Sequence, residues 1–159
     1  MKRKIYEKLL DWKHKEAGRT ALLIDGARRV GKSYIAKEFA ETEYKSYILI
    51  DFNRAPKEVV DLFDHYLNDL DTLFMYLANF YGTKLYERET LIILDEVQLC
   101  PRARSAIKHL VADGRYDYLE TGSLMTIKKK VKDILIPSEE DHIKMYPLDF
   151  EEYLMAKNE

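Results

Sequence analysis

Short runs of apolar residues alternate with segments of helical periodicity along most of this chain. Such alternation is typical of βαβ units, in which each helix returns the chain so that the next strand lies parallel to the last. The predicted strands are 21–24, 47–50, 91–94, 116–119 and 143–146. The third run, Leu91 to Leu94, is apolar throughout, as expected for a central strand buried on both faces. The pattern therefore predicts an α/β fold with a parallel sheet.

Helices are predicted around these strands, over residues 3–16, 32–41, 56–80, 102–112, 124–133 and 149–157. The long 56–80 segment is expected to break near Asn68-Asp69. Pro56 and Pro101 stand where helices begin, and Asp113-Gly114 stands where one ends.

The composition favours a globular chain with one core. Of 159 residues, 47% are hydrophobic and 34% are charged, which excludes a disordered or fibrous protein. The single cysteine, Cys100, cannot pair within the chain, and no stretch approaches the about 20 apolar residues of a membrane span. The net charge of −2 gives no general attraction to nucleic acid, so a nucleic-acid partner has no support from charge. We therefore expect one cytoplasmic domain over residues 1–159, not bound to a membrane.

Residues 26–33, Gly-Ala-Arg-Arg-Val-Gly-Lys-Ser, fit the G-x-x-x-x-G-K-[ST] pattern of phosphate-binding loops at every fixed position. They follow a predicted strand and open a predicted helix, which is the context that the pattern requires. Glycines let consecutive backbone N–H groups turn around an anion, and the helix adds its positive N-terminal end. Lys32 would follow the β and γ phosphates of ATP, and the Ser33 hydroxyl would reach Mg²⁺.

The predicted nucleotide-binding residues are Gly26, Arg29, Val30, Gly31, Lys32, Ser33 and Tyr34. Arg28 and Arg29 occupy variable positions of the pattern. Their side chains would contact phosphate or, as the alternative, point to solvent or pair with a carboxylate. The chain has no Asn-Lys-x-Asp motif for reading guanine, which favours ATP over GTP. None of its four histidines stands at zinc-protease spacing with another, and no nucleophile-elbow sequence supports a Ser-His-Asp site. Mg²⁺ is therefore the metal that the sequence indicates.

An acidic pair, Asp95-Glu96, directly follows the third predicted strand. Ligands bind at the carboxyl ends of the strands in open α/β sheets. Asp95 is placed to hold Mg²⁺ together with Ser33, and Glu96 to orient or deprotonate the attacking water. Such a pair is common in turns, and its functional interpretation depends on the phosphate loop.

Hydroxyl groups stand at a further strand end, in Glu120-Thr121-Gly122-Ser123. A hydroxyl here would hydrogen-bond the γ phosphate or the attacking water, and we predict Ser123 as catalytic together with Glu96 and Lys32. Thr121 is the alternative, and either residue suits the N-cap of the following helix equally well. Gln98 is a weaker candidate for the same water network.

The order of these parts resembles the AAA+ ATPase core. More narrowly, residues 26–33, Leu-Asp-Glu-Val-Gln at 94–98, Thr-Gly-Ser at 121–123 and Tyr-Pro-Leu-Asp-Phe-Glu-Glu-Tyr-Leu at 146–154 look like prokaryotic AAA-type ATPases whose core precedes a C-terminal domain of uncharacterised function. The resemblance implies a P-loop NTPase three-layer sandwich with a parallel five-stranded sheet of order 5-1-4-3-2. It also implies hydrolysis of Mg-ATP to drive or switch an attached domain or partner. Residues 1–159 would then be a core without its lid and C-terminal domain.

An arginine finger is usual in AAA+ proteins between the fourth and fifth strands. Here residues 124–142 contain lysines but no arginine, and Arg102 and Arg104 are speculative substitutes. We therefore expect slow hydrolysis by this chain alone, with self-association as a candidate source of the missing charge. Two other functions stay open: a small phosphate-loop kinase, which the arginine-free segment argues against, and a nucleotide-gated interaction module that does not hydrolyse ATP.

Overall fold

The computed structural model describes residues 4–27, 30–123 and 139–146, which form one sheet between two layers of helices. The strands are β1 (Ala21–Asp25), β2 (Ser46–Asp51), β3 (Thr90–Asp95), β4 (Asp117–Gly122) and β5 (Glu140–Lys144). The helices are α1 (Lys4–Glu16), α2 (Lys32–Glu43), α3 (Lys57–His65), α4 (Leu70–Tyr81) and α5 (Pro101–Asp113). A short 3-10 turn, Val97–Leu99, connects β3 to α5.

The five strands are all parallel, in the order β2-β3-β4-β1-β5. This is the predicted order 5-1-4-3-2 read from the other edge, so the predicted fold class is confirmed. Every residue of β3 and β4 is buried. The apolar run from Leu91 to Leu94 is therefore a central strand, as its composition predicted.

Alternating side chains of the sheet build two cores. Ile92 and Leu94 point into the layer of α3, α4 and α5, whereas Leu91 and Ile93 point into the layer of α1 and α2. Successive side chains of a strand face opposite sides of a sheet, so one apolar run serves both cores. The result is a three-layer sandwich.

The predicted helix boundaries are close to those observed. The 56–80 segment breaks into α3 and α4, and Asp69 caps α4 by accepting a hydrogen bond from the backbone N–H of Thr72. Pro56 directly precedes α3, Pro101 is the first residue of α5, and Gly114 ends α5 in the left-handed conformation. Capping residues thus predicted these helix ends for the expected physical reasons.

The fifth strand differs from the prediction, because it runs from Glu140 to Lys144 and not over 143–146. It is an edge strand whose Asp141, His142 and Lys144 side chains are exposed, so its first residues carry no apolar pattern. The predicted helices 124–133 and 149–157 lie outside the described residues. Within the described ranges, no helix has the length and apolar character needed to cross a membrane.

Candidate active site

The loop between β1 and α2 requires glycine at both of its fixed glycine positions. Gly31, directly before α2, has a left-handed backbone with φ 96° and ψ 22°, a conformation that side chains disfavour. A Cβ on Gly26 would lie 2.6 Å from the carbonyl oxygen of Met145, which is closer than non-bonded atoms approach. The loop therefore brings the N-terminus of α2, with its positive dipole end, to the carboxyl end of β1.

The Lys32 side chain folds back over this loop and is only 5% exposed. Its Nζ donates to the carbonyl oxygen of Gly26 at 2.5 Å and to that of Gly122 at 3.4 Å. Burial of an ammonium group is costly unless it is hydrogen-bonded, and these two carbonyls meet that requirement. The positive charge is thus held where the loop meets the end of β4.

Asp95 ends β3 beside the start of α2. Its Oδ1 accepts hydrogen bonds from the Ser33 and Thr121 hydroxyls, both at 2.7 Å. Burial raises the pKa of the Asp95 carboxyl above its ordinary value, and these two hydrogen bonds oppose the rise. The structure thus brings together the two residues predicted to hold a metal, Ser33 and Asp95.

Glu96 is held at both its backbone and its side chain. Its backbone is left-handed, with φ 56°, and its N–H donates to the Thr121 hydroxyl oxygen at 2.9 Å. Its Oε2 accepts from the Gln98 amide at 2.5 Å, within the turn that leads to α5. Thr121 therefore both donates to Asp95 and accepts from Glu96, so one buried hydroxyl ties the two acids to β4.

The other predicted site residues lie around this centre. Val30 is buried beside Gly26, whereas Tyr34 is 69% exposed on the first turn of α2. Ser123 is half-buried and follows β4 directly, one residue beyond Gly122. Arg29 lies outside the described residues.

Sequence reasoning missed a buried charge cluster between α5 and the sheet. The Arg104 guanidinium makes two hydrogen bonds to the Glu140 carboxylate, at 2.6 and 2.9 Å, and lies 3.6 Å from Glu120. Arg104 is 2% exposed, which is incompatible with its suggested role as an arginine presented to a neighbouring subunit. Arg102 is exposed and pairs with Asp64. No sequence signal joins these residues, because they come from separate elements.

The oxygen atoms of Ser33 and Asp95 are hard donors of the kind that Mg²⁺ prefers. Among the described residues, no group of three or more His, Cys, Asp or Glu side chains could hold a metal by itself. This donor set fits Mg²⁺, which commonly takes one or two protein ligands and completes its shell with water and phosphate oxygens.

The chain matches one protein-family model and is similar to solved structures of low sequence identity. A family model described as "AAA domain" matches residues 18–154, whereas no curated protein matches the chain. Among solved structures, the chain is similar to C. elegans PCH-2, with 17% identity and a TM-score of 0.42. It is also similar to the Aeropyrum pernix ORC2 protein in its ADP form, with 20% identity and a TM-score of 0.48. These matches cover 91% and 97% of this chain but 39% and 50% of those chains, so this chain spans at most half their length.

Proposed function

Because this chain belongs to the AAA domain family and has the nucleotide-binding ATPase core, we propose that it binds and hydrolyses Mg-ATP to drive or switch an attached domain or partner. The observation that carries the proposal is the 2.7 Å hydrogen bond between Ser33 of the loop and Asp95 at the end of β3. This hydrogen bond joins the two halves of the proposed nucleotide site, and the Lys32 ammonium is held over the same loop.

We propose that the loop and the start of α2 bind the phosphates. Backbone N–H groups around Gly26, Val30 and Gly31 would surround them, with Arg29 and Tyr34 at the edge of the site. Lys32 would exchange its carbonyl partners for oxygens of the β and γ phosphates. Its hydrogen bond to Gly26 supports this role, because the ammonium already lies within the loop.

Ser33 and Asp95 are the residues proposed to hold Mg²⁺, directly or through water. When bound, this ion would neutralise negative charge on the β and γ phosphates. The hydrogen bond from the Ser33 hydroxyl to Asp95 Oδ1 supports the assignment, because it places the two side chains next to each other.

Glu96 is proposed to orient the attacking water and to accept its proton. Its backbone N–H donates to the Thr121 hydroxyl oxygen and its carboxylate accepts from the Gln98 amide, and these two hydrogen bonds favour one orientation. Ser123 is proposed to contact the γ phosphate, since it directly follows β4 at the edge of the sheet where ligands bind.

Slow hydrolysis by this chain is part of the proposal. The 124–142 segment offers lysines but no arginine, and lysine cannot present the planar fork with which arginine binds phosphate oxygens. An arginine supplied by a neighbouring subunit adds about 10³ to 10⁵ in rate where it has been measured. A single-turnover rate that rises with protein concentration would support self-association as the source of that charge.

Calorimetric titration with Mg-ATP tests the binding site. Lys32→Ala should lose at least about tenfold in affinity, because one charge-assisted phosphate contact is worth roughly 1.5–3 kcal/mol. Lys37→Ala is the matched control, since Lys37 lies on the same helix with an exposed side chain. Equal affinity of wild type and folded Lys32→Ala would reject the assignment.

Product analysis tests the reaction. ADP with inorganic phosphate is the expected result. A phosphorylated acceptor would indicate a kinase, and unchanged ATP with measurable affinity would indicate a nucleotide-gated interaction module.

A further inference from the structure

Helices α3 and α4 enclose a groove on the side of the sheet opposite α2. Its cavity has a volume of about 460 Å³. The floor is formed by Val59 and Leu62, and the walls by the rings of Tyr66, Tyr76 and Phe80. Tyr76 and Phe80 are 43% and 47% exposed, so these rings face solvent. We call this surface the α3–α4 groove.

Two carboxylates, Glu58 and Asp61, also line the α3–α4 groove, together with His65. Across the described part of the chain, no Lys or Arg side chain forms a salt bridge with either acid. Arg102 is close enough to feel the charge of Asp61, but its guanidinium pairs with Asp64. Among the residues that the structure describes, the groove thus combines aromatic walls with two acids that have no salt-bridge partner.

On the other side of α4, aromatic and acidic side chains of this protein already bind an arginine of the same chain. The Arg115 guanidinium lies over the Phe74 ring, 4.8 Å from its centroid. The same group pairs with Asp71 at 2.6 Å and with Asp113 at 3.0 Å. One aromatic face and two carboxylates therefore bind one guanidinium in this fold.

We propose that the α3–α4 groove binds an arginine side chain carried by an apolar segment of a partner protein. The Tyr66 and Tyr76 rings pack against each other at 5.4 Å, and the exposed Tyr76 and Phe80 rings are the aromatic surface proposed to receive a planar cation beside the acids. Arginine fits better than lysine, because its planar group both stacks on rings and binds carboxylates in pairs. The cavity falls within the usual size range of ligand pockets, roughly 300–1,000 Å³, and Val59 and Leu62 give it an apolar floor for a neighbouring side chain. This proposal does not depend on nucleotide binding.

Two blocked dipeptides test the proposal in the full chain. Acetyl-Leu-Arg-amide and acetyl-Leu-citrulline-amide have nearly the same shape, and citrulline lacks the charge. Titration into the ¹⁵N-labelled chain should give saturable amide shifts concentrated in residues 57–81, at millimolar concentrations. Affinity for the citrulline peptide should be at least tenfold weaker. Absence of saturable shifts, or equal affinity for both peptides, would overturn the proposal.

Variants distinguish specific binding in the α3–α4 groove from a general attraction of the arginine peptide to negative charge. The affinity for the arginine peptide should fall at least fivefold in each of two double variants, Glu58→Gln/Asp61→Asn and Tyr76→Ala/Phe80→Ala. Glu87→Gln/Glu89→Gln removes the same charge from exposed positions before β3 and should leave affinity unchanged. If the Tyr76→Ala/Phe80→Ala variant bound the arginine peptide as tightly as wild type, the rings would have no role in binding and the proposal would fail.

Sedimentation of the unliganded chain tests whether a second copy of the chain occupies the α3–α4 groove instead of a partner protein. A monomer is expected at concentrations used for titration. A dimer that Tyr76→Ala dissolves would assign the groove to self-association and overturn the partner assignment.

Discussion

The side-chain amide of Gln98 donates to the Glu96 carboxylate at 2.5 Å, across a turn of two residues. Gln98 is 7% exposed, and its Oε1 finds no donor in the part of the chain that the structure describes. Among the described residues, the side-chain amide therefore makes one hydrogen bond, to the acid proposed to activate water. Its expected role is to orient Glu96 and not to bind water itself.

Replacement of Gln98 by leucine should lower the single-turnover hydrolysis rate by about tenfold and leave ATP affinity within a few-fold. A hydrogen bond to a charged group contributes roughly 1.5–3 kcal/mol, and leucine keeps a side chain of similar volume without that bond. Leu99→Ala, in the same turn but with an exposed side chain, is the control and should leave the rate unchanged. An unchanged rate in folded Gln98→Leu would show that Glu96 needs no such support.

Glu96→Gln should reduce hydrolysis by about 10²-fold or more, because a positioned general base contributes roughly 10² to 10⁴. ATP affinity should stay within a few-fold, since the carboxylate acts mainly in the transition state. Calorimetry and single-turnover measurements on the same preparation give both values. Turnover equal to that of wild type would remove Glu96 from the mechanism.

The Thr121 hydroxyl should contribute to stability, and the Ser123 hydroxyl is proposed to contact the nucleotide. Thr121→Val keeps the side-chain shape but leaves Asp95 and the Glu96 N–H each without one hydrogen bond. It should lower the free energy of unfolding by about 1–3 kcal/mol and slow hydrolysis. Ser123→Ala should slow hydrolysis, because the γ phosphate would lose a hydroxyl contact. Chemical denaturation of Thr121→Val and single-turnover hydrolysis by both variants give the comparison, and a Thr121→Val protein as stable as wild type would contradict the structural role of Thr121.

The phosphate loop could be predicted because its residues are contiguous and backbone geometry fixes its glycines. Gly31 needs a left-handed backbone and Gly26 leaves no room for a side chain, so the motif carries its own structural reason. The positions of Ser33 and Asp95 also followed, since a helix start and a parallel strand end meet at the same edge of the sheet. The sheet order came from the family resemblance, because the apolar runs by themselves do not specify which strands are neighbours.

The contacts of Thr121 could not be predicted, because they depend on the register between β3 and β4. The fourth strand was predicted to end at Leu119, but it continues through Glu120 to Gly122. Glu120 interrupts the apolar pattern, and the pattern does not reveal that Arg104 and Glu140 lie beside it in the core. The same limitation applies to β5, whose edge position removes the apolar signal at its start.

The contribution of Glu120 to stability should depend on pH. It is fully buried, and neither of its carboxyl oxygens has a hydrogen-bond partner among the residues that the structure describes. Burial raises its pKa well above the ordinary value, the neighbouring Glu140 adds to the rise, and the Arg104 charge opposes it. For Glu140, burial acts to raise the pKa, but hydrogen bonds and Arg104 lower it overall. The two acids thus behave as a pair that retains one proton on Glu120.

Glu120→Gln should therefore stabilise the protein at pH 8 and have a smaller effect at pH 5. In the unfolded chain Glu120 loses its proton near pH 4.3, whereas in the folded chain it keeps the proton to much higher pH. Between these values the folded state binds one more proton, so its stability falls as pH rises, and glutamine removes that dependence. The lowered pKa of Glu140 changes stability only at pH values below the ordinary pKa of glutamate, which lie outside this pH range. Thermal unfolding at pH 5, 6.5 and 8 should show a melting-temperature difference from wild type that grows with pH. The exposed Glu87→Gln should show none, and a constant difference for Glu120→Gln would mean that the buried carboxyl is ionised.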